Sequence, residues 1–349
     1  MVLLGGEDMP LGLRTTRGLS SHSVARRYTA ESYPGALDRV PQEGNGETVS
    51  VIVPCFNKAA YVRRTLESID AQTLEPLEVV VINDCSTDSS ALAIDEWSRS
   101  TAIPCTILTH GVNLGLNASL NDGIRASKGE FLIFLDADDR LLPEMITNSL
   151  RRFRQSPRTG MVYGDALVVD PDGRPDHDTF LTETRGADRP EGMIFLNLFK
   201  RHNFMPVSSV TVRRSVLARV GLFDERLAYQ DYDMWLRVSW RFPVAFSGSV
   251  DAEIVQVPGS MKQTIGSDIA ASNLMILEKW RHDGVSDSLM PREKAAMWVL
   301  YLAGNRGLSL RSGISAVVRS PYYYHDPLLP VAAARLLLRV AISRAVRGS

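Results

Sequence analysis

The sequence predicts an α/β protein built on a mixed, largely parallel β-sheet that is flanked by helices. Two observations carry this prediction. Short, continuous apolar runs recur along the chain, and stretches with helical periodicity separate them. Continuous apolar runs of this length are typical of strands covered on both faces, and strands that alternate with helices form parallel sheets through right-handed crossovers.

The elements follow in order from about residue 49. Four apolar runs predict the first strands: VSVIV at 49–53, LEVVVI at 77–82, PCTIL at 104–108 and FLIFL at 131–135. The helices between them are predicted from apolar residues at helical spacing: Val62, Leu66 and Ile69; Leu92 and Trp97; Leu120 and Ile124. In such a sheet the ligand crevice lies beyond the carboxyl ends of the strands, where this chain places PCFN, NDCSTD and DADD.

The second half predicts a more mixed region. A helix is expected near 143–154, and MVYGDALVVD followed by the turn signal PDGR predicts a hairpin. PVSSVTV at 206–212 reads as a strand, and DYDMWLRVSW at 231–240 as a helix that begins at an acid. The segment after about residue 263 is expected to be helical. Residues 1–47 are rich in Gly, Ser, Arg and Thr without sustained periodicity, which predicts a mostly disordered extension.

Composition and charge exclude several classes of protein. The chain has 349 residues, which suggests about two domains or one large domain with additions. Lys and Arg number 39 against 40 Asp and Glu, so no basic excess indicates nucleic-acid binding. Since the overall charge is nearly balanced, any acidic site must be a local cluster of acids.

Several features predict a cytoplasmic protein. Its three cysteines form no CxxC pair and leave an odd count, which fits a reducing compartment. They read best as small buried hydrophobic residues. The start MVLLGGEDMP lacks the basic region of a signal peptide, and no stretch reaches the length of a membrane span. A peripheral contact at the inner face of the membrane stays open, because PLLPVAAARLLLRVAISRAVRGS could form a basic amphipathic helix. Core packing is the preferred interpretation of that segment, since its apolar and basic faces overlap.

In FLIFLDADD, an apolar run that predicts a buried strand is followed directly by three acids, Asp136, Asp138 and Asp139. Carboxylates about 5 Å apart repel by roughly 3 kcal/mol at an effective dielectric near 20, and burial adds to that cost. These acids could face water in a turn and cap the next helix, for which Pro143 suits the start. Alternatively, a cation holds them. A D-x-D of this kind suits Mg²⁺ or Mn²⁺ bound together with a nucleoside diphosphate.

Three further polar residues each have two interpretations. Asp84 could accept a hydrogen bond from a nucleobase or ribose, or it could belong to a turn that caps the following helix with Asp88 and Ser89. Asn57 in PCFN carries the same ambiguity. Asp231 could be a helix N-cap, a general base, or both.

Taken in order, VSVIVPCFN, VVVINDCSTDSS, NLGLNASLNDGIRASKGEFLIFLDADD, GLFDE and QDYDMWLR resemble the family 2 inverting glycosyltransferases of the GT-A fold. The resemblance covers about residues 48–262. It implies a GT-A-type, Rossmann-like domain over 48–262, followed by a helical C-terminal extension over 263–349.

The resemblance also implies roles for six residues. Pro54, Asn57 and Asp84 would frame the nucleotide, with Asp84 at the base. Asp136 would lie near the ribose or the donor sugar, and Asp138 would be the metal ligand. Asp231 matches the catalytic base.

Three positions depart from the family pattern. Gln230 stands where many members have Glu, and Leu120 stands where many have Arg. Val257, before Pro258, Gly259 and Ser260, stands where several have His. A weaker or water-completed metal site follows from the last difference.

The sequence therefore predicts a metal-dependent inverting glycosyltransferase. It would move a sugar from a nucleotide-diphosphate-sugar donor to the hydroxyl of a saccharide, lipid-linked or other acceptor, in polysaccharide, glycolipid or glycoconjugate synthesis. The alternatives are a non-catalytic sugar-nucleotide binding module and a nucleotidyltransferase. A glycoside hydrolase fits less well, because its paired carboxylates flank the scissile bond and need no nucleotide crevice.

Overall fold

The structure, a computed structural model, describes residues 47–185, 188–201 and 203–257 together with Ser272, Met275, Ile276, Lys279 and Trp280. The five separate positions are helical or lie against the rest of the described chain. The predictions for the N-terminal extension, for Pro258–Ser260 and for most of the C-terminal extension fall outside the described residues.

The described strands follow the predicted order along the chain. They are β1 Val49–Cys55, β2 Glu78–Asn83, β3 Cys105–Thr109, β4 Phe131–Phe134, β5 Arg140–Leu141, β6 Met161–Val169, β7 Pro175–Thr179, β8 Val210–Arg213 and β9 Val244–Val255.

The described helices alternate with these strands. They are α1 Val62–Asp70, α2 Ser90–Ser98, α3 Leu116–Ala126, α4 Met145–Gln155, α5 Phe180–Arg185, α6 Phe195–Arg201, α7 Arg214–Val220 and α8 Asp231–Arg241. Within the described ranges, no helix has both the length and the apolar character needed to span a bilayer.

The described strands form one sheet in the order β3-β2-β1-β4-β8-β6-β9-β5, with β7 paired to β6. Strands β3, β2, β1 and β4 are parallel, and β8 then pairs antiparallel with both β4 and β6. Strands β6 and β9 are again parallel to each other. The structure confirms the predicted mixed α/β sheet with flanking helices, including the hairpin of β6 and β7.

Two apolar cores cover the two faces of the sheet. Successive residues of a strand point to opposite faces, so Ile52 belongs to one core while Val51 and Val53 belong to the other. Helices α3, α6, α7 and α8 pack on the Ile52 face, and α1, α2 and α4 pack on the opposite face. Burial of both faces explains why the parallel strands read as continuous apolar runs.

Two local predictions need correction. Only Val210–Arg213 of the predicted strand at 206–212 is extended, because Val207–Ser209 forms a 3₁₀ turn in which Ser209 Oγ donates to Pro206 O at 2.8 Å. In α2 the buried face consists of Ser90, Ile94 and Trp97, whereas Leu92 is exposed.

Of the three cysteines that were predicted to be buried, one is buried. Cys55 is buried in β1, and burial raises the pKa of its thiol to about 11. Cys85 and Cys105 are half-buried. Burial also raises the pKa of Cys105 to about 11, so the thiols of Cys55 and Cys105 are protonated at neutral pH.

Candidate active site

The carboxyl ends of β1, β2 and β4 lie side by side, at the edge of the sheet where the ligand crevice of an α/β protein is expected. Cys55 at the end of β1 is in register with Asn83 at the end of β2, and Ile52 is in register with Phe134 at the end of β4. Since all three strands are parallel, the loops that follow them meet at one edge of the sheet. The predicted residues at 54–57, at 84 and at 136–138 lie in or beside these loops.

Pro54 is buried near the end of β1. Ile52 O accepts a hydrogen bond from Leu135 N, and Cys55 O accepts one from Asp84 N. The backbone N–H and C=O groups of successive strand residues point to opposite sides. Those of Pro54 therefore point toward β4, as those of Ile52 do, but past the last residues that pair with β4. A proline therefore leaves no ladder hydrogen bond unmade there.

Asn57 ties the first two loops together. Its Oδ1 accepts a hydrogen bond from Thr87 N at 2.8 Å, and its backbone N–H donates to Ser86 Oγ at 3.1 Å. Its φ of 53° lies in the left-handed region that Asn tolerates better than most residues. The structure therefore gives Asn57 a positioning contact in the crevice wall.

Asp84 is buried, and three donors bind its carboxylate. Oδ1 accepts from Leu114 N and from His110 Nδ1, each at 2.8 Å, while Oδ2 accepts from Gly115 N at 2.8 Å. Gly115 has a φ of 92°, which side chains rarely allow and which turns its N–H toward the carboxylate. Asp84 thus anchors the loop before α3, a role that neither sequence interpretation contained.

Asp88, rather than Asp84, bonds the backbone at the start of α2. Asp88 Oδ1 accepts from Ser90 N at 2.9 Å, and its Oδ2 accepts from Ala59 N at 3.1 Å. These bonds lower the pKa of Asp88 although burial acts in the opposite direction.

His110 is a site residue that the sequence analysis missed. Its Nδ1 faces Asp84, and its Nε2 lies 3.2 Å from Asp122 Oδ2. Asp122 also accepts from Arg125 Nη1 at 2.7 Å. No sequence pattern joins a histidine to acids 26 positions before it and 12 positions after it, so only the fold reveals this arrangement.

The three acids after β4 have three different partners. Asp139 is buried, and its carboxylate accepts from Ser208 Oγ at 2.6 Å and from Val255 N at 3.1 Å. Asp136 Oδ1 accepts from Gln230 Nε2 at 3.3 Å. Asp138 forms an ion pair with Lys58. The repulsion expected within DADD is thus relieved by separate contacts, and the helix-capping interpretation is wrong, since α4 has no side-chain cap.

The donor set suits a hard divalent cation only if other ligands complete it. Among the described residues, no group of three or more His, Cys, Asp or Glu side chains could hold a metal ion. Asp136 and Asp138 nevertheless offer carboxylates at the crevice. One or two carboxylates, phosphate oxygens and water are the ligands that Mg²⁺ commonly takes. The residues present therefore fit a cation that a bound diphosphate helps to hold.

Asp231 begins α8 and is half-buried. Its Oδ2 accepts from Asn203 Nδ2 at 2.6 Å, and its Oδ1 accepts from Tyr232 N at 2.6 Å. The N-cap position belongs to Gln230, which makes no side-chain cap, so the capping interpretation of Asp231 is wrong. The hydrogen bond from Gln230 to Asp136 brings the start of α8 against the D-x-D segment.

Two ionisable groups near Asp231 are unsuited to accept a proton from a substrate. Burial, together with the nearby carboxylate of Asp231, raises the pKa of Tyr229 far above its ordinary value. Burial acts to raise the pKa of Asp233, but Arg237 and Lys279 outweigh it and hold that pKa low. Asp233 is 1% exposed and paired with both cations, so it cannot reach an acceptor.

Two asparagines of α3 hold the segment that leads to Asp231. Asn117 Nδ2 donates to the carbonyls of Asp224 and Leu227 at 2.9 and 3.0 Å. Asn121 exchanges two hydrogen bonds with the backbone of Phe223. These contacts give GLFDE a structural role, which sequence order alone did not reveal.

Two of the three departures from the family pattern can be located. Leu120 is 1% exposed and packs in the core, so it makes no donor contact. Gln230 contributes its amide to Asp136 where an acid would add repulsion. Val257 is described, whereas Pro258–Ser260 are not.

The comparisons with known proteins agree with this geometry. Residues 50–221 match the sequence model of the family described as Glycosyl transferase family 2. An uncharacterized glycosyltransferase of Haemophilus influenzae is 36% identical over 191 residues, which cover 54% of this chain and 61% of that protein. An uncharacterized glycosyltransferase of Rickettsia felis is 27% identical over 211 residues, which cover 58% of this chain and 33% of that protein. The chain thus spans less than two thirds of the length of these curated relatives.

Solved structures show the same fold. The crystal structure of S. aureus TarS 1-349 in complex with UDP-GlcNAc matches with a TM-score of 0.57 at 17% identity, over 82% of this chain and 89% of that one. The complex of the same protein with UDP matches with a TM-score of 0.53 at 17% identity, over 82% and 89% of the two chains. At this identity the likeness establishes the GT-A fold alone.

Proposed function

Because this chain belongs to glycosyl transferase family 2 through residues 50–221, we propose that it is an inverting glycosyltransferase that uses a nucleotide-diphosphate-sugar donor. The observation that carries the proposal is the hydrogen bond from Gln230 Nε2 to Asp136 Oδ1. It joins the helix that begins at Asp231 to the acids after β4. A candidate base and a candidate donor site thereby share one crevice.

In this reaction Asp231 removes the proton from the acceptor hydroxyl while the acceptor oxygen attacks the anomeric carbon of the donor. The bond from that carbon to the diphosphate oxygen breaks, and the nucleoside diphosphate leaves with the bonding electrons. Attack opposite the leaving group inverts the anomeric configuration. A bound divalent cation would offset the charge that grows on the diphosphate.

The remaining crevice residues bind and orient the donor. Asp138 would hold the cation, and Asp136 would lie beside the ribose or the sugar. Pro54 and Asn57 would frame the nucleotide, and Asp84 would act at the base, in part by fixing the loop before α3. Asn203 would orient Asp231 toward the acceptor.

We assign the catalytic unit to residues 48–262 and regard 263–349 as an extension that supports it. Two contacts favour the supporting role of the extension. Ser272 Oγ accepts from Ala228 N at 2.8 Å, and Lys279 Nζ lies 2.7 Å from Asp224 Oδ2. Both contacts brace the segment just before Asp231. A cytoplasmic location, with contact to the inner face of a membrane for lipid-linked acceptors, belongs to the same proposal.

The test is donor turnover. Purified protein is incubated with a panel of nucleotide sugars, with and without Mn²⁺, and released nucleoside diphosphate is measured. UDP-sugars come first, because TarS binds UDP-GlcNAc. Release that needs the cation and is lost in Asp231→Asn supports the proposal. Donor binding without release from any donor and acceptor pair would instead indicate a binding module. Release of pyrophosphate from a nucleoside triphosphate and a sugar phosphate would indicate a nucleotidyltransferase.

A further inference from the structure

Lys58 contacts Asp138, the acid that the proposed function assigns to the metal ion. Lys58 Nζ forms an ion pair with Asp138 Oδ2, across 80 positions of sequence. Among the described residues Lys58 is the one partner of Asp138, and the other carboxylate oxygen accepts no hydrogen bond. The two side chains are 27% and 17% exposed, so the pair lies at the crevice surface and is open to ligands.

The backbone of Lys58 is fixed, which makes the pair a built feature of the site. Its N–H donates to Ser90 Oγ at 2.8 Å, and its carbonyl accepts from Tyr61 N and Val62 N at 2.9 Å. These contacts hold the start of the loop against α1 and α2. The side chain therefore leaves the loop toward the D-x-D segment.

A divalent cation bound to Asp138 would weaken the ion pair with Lys58. The ammonium and the divalent cation each neutralise the carboxylate, and two cations on one acid repel each other strongly. The described residues supply no third acid that would offset the excess positive charge. An ammonium displaced from Asp138 would remain in the crevice, and a phosphate group is the anion that lysine commonly binds as a point charge.

We propose that Lys58 is the resident cation of the donor site. Its ammonium holds Asp138 until a divalent cation displaces it, and it then pairs with the diphosphate of the donor. This inference rests on the proposed function for the identity of the donor. It predicts that Lys58 weakens binding of the metal alone and strengthens binding of a diphosphate.

The first test measures Mn²⁺ binding to the full chain without nucleotide, from the electron paramagnetic resonance signal of free Mn²⁺. Lys58→Met keeps much of the length of the side chain and removes its charge, so we expect Mn²⁺ affinity to rise at least about threefold, as loss of a partly exposed ion pair allows. Lys58→Arg should retain the weak parental affinity, and Asp138→Asn should lose binding.

Lys128→Met is the matched control, because Lys128 is exposed and precedes β4 at the opposite end of the sheet. It also removes one positive charge, so it corrects for the change in net charge. Three outcomes would overturn the proposal. Mn²⁺ affinity could rise equally in Lys128→Met, it could stay unchanged or fall in Lys58→Met, or neither the parent nor Lys58→Met could bind Mn²⁺ detectably.

The second test measures binding of inorganic pyrophosphate by calorimetry at saturating Mg²⁺, the condition in which the proposal frees Lys58 from Asp138. Pyrophosphate avoids a choice of nucleobase. We expect Lys58→Met to bind pyrophosphate at least about fivefold more weakly than the parent and than Lys128→Met, because a hydrogen bond to a charged group is lost. Equal affinity in the three proteins would overturn the diphosphate contact. Neither test requires transfer, so failure of the proposed glycosyltransferase activity would be seen separately, in the donor panel.

Discussion

Asn203 Nδ2 donates a hydrogen bond of 2.6 Å to Asp231 Oδ2. The direction of this bond is fixed, because Asn203 Oδ1 accepts from Met205 N at 3.0 Å and the amide nitrogen must then face the acid. Tyr232 N donates to the other oxygen of Asp231 at 2.6 Å. The carboxylate is therefore held in one orientation, as a positioned base requires.

We expect Asp231→Asn to reduce glycosyl transfer by at least about two orders of magnitude, the lower range for loss of a positioned general base. An amide has one acceptor oxygen, so one of the two present hydrogen bonds is lost, at about 1 kcal/mol of unfolding free energy. Donor affinity should change little. Calorimetry with donor and product assays on the same preparation check this, and a variant with near-parental turnover would remove Asp231 from the mechanism.

Asn203→Asp tests the positioning role. Two carboxylates at hydrogen-bond distance disfavour joint ionisation, which raises the pKa of Asp231. Because the base works deprotonated, the acidic limb of the pH–rate profile should move to higher pH. Asn203→Ala should instead lower kcat by less than the about hundredfold expected for loss of the base itself, without moving KM for the donor. A profile that stays in place in Asn203→Asp would show that Asn203 only supports the fold.

Asp138→Asn tests the cation site. An amide is a weak ligand for a hard divalent cation, so donor affinity in the variant should no longer rise when Mn²⁺ is added. In the parent we expect a rise of at least about tenfold, equivalent to about 1.4 kcal/mol. Asp172→Asn is the control, because Asp172 is an exposed acid of the β6–β7 hairpin with 70% of its side chain exposed. Metal dependence that survives in Asp138→Asn would place the cation elsewhere.

Asp84→Ala tests whether the acid contacts the nucleotide or only anchors the loop before α3. Removing the acceptor of three buried donors should lower the unfolding free energy by at least about 2 kcal/mol. His110→Ala breaks one anchor but keeps the carboxylate. If Asp84 also binds the base, nucleoside diphosphate affinity should fall by about 1.5 to 3 kcal/mol in Asp84→Ala and far less in His110→Ala. A lower unfolding midpoint with unchanged affinity in both variants would leave Asp84 as an anchor alone.

The sequence predicted the crevice because its position depends on strand order and periodicity. The ends of β1, β2 and β4 had to meet, and the acids that follow them had to meet as well. The start of α8 at Asp231 followed from helical periodicity and an acidic first residue.

The partners of those acids were not predictable, since each contact joins distant segments. Lys58 is 80 positions from Asp138, and Asn117 is 107 from Asp224. Periodicity reports which face of an element is buried, but not which side chain of another element meets it. A lysine in a turn at a strand end was the one available signal for Lys58, and it is a weak signal without the fold.

The ion pairs of Asp233 with Arg237 and Lys279 should make the unfolding free energy depend on pH in the acid range. Asp233 Oδ1 lies 2.8 Å from Lys279 Nζ, and its Oδ2 lies 2.9 Å from Arg237 Nη2. Burial raises the pKa of Asp233, but the two cations and their hydrogen bonds outweigh that effect, so its pKa in the folded protein is below the ordinary value. The unfolded chain then binds the proton more readily. The stabilisation is therefore complete above the unfolded pKa of about 3.9 and is lost as the pH falls below it.

We expect Asp233→Asn to lower the unfolding free energy by about 3 to 5 kcal/mol at pH 7, because Arg237 and Lys279 lose the buried acid that they share, although Lys279 keeps Asp224. The difference from the parent should shrink as the pH falls below about 4, where the parental carboxyl also takes up a proton. Urea denaturation across a pH series measures both effects. Asp95→Asn is the control, since Asp95 pairs with Arg99 on the surface with 46% of its side chain exposed, and should cost no more than about 0.5 kcal/mol. The unfolding free energies of Asp233→Asn and the parent should converge in acid only if the Asp233 carboxyl titrates in the parent. A difference in unfolding free energy that stays constant down to pH 3 would therefore contradict an ionised Asp233.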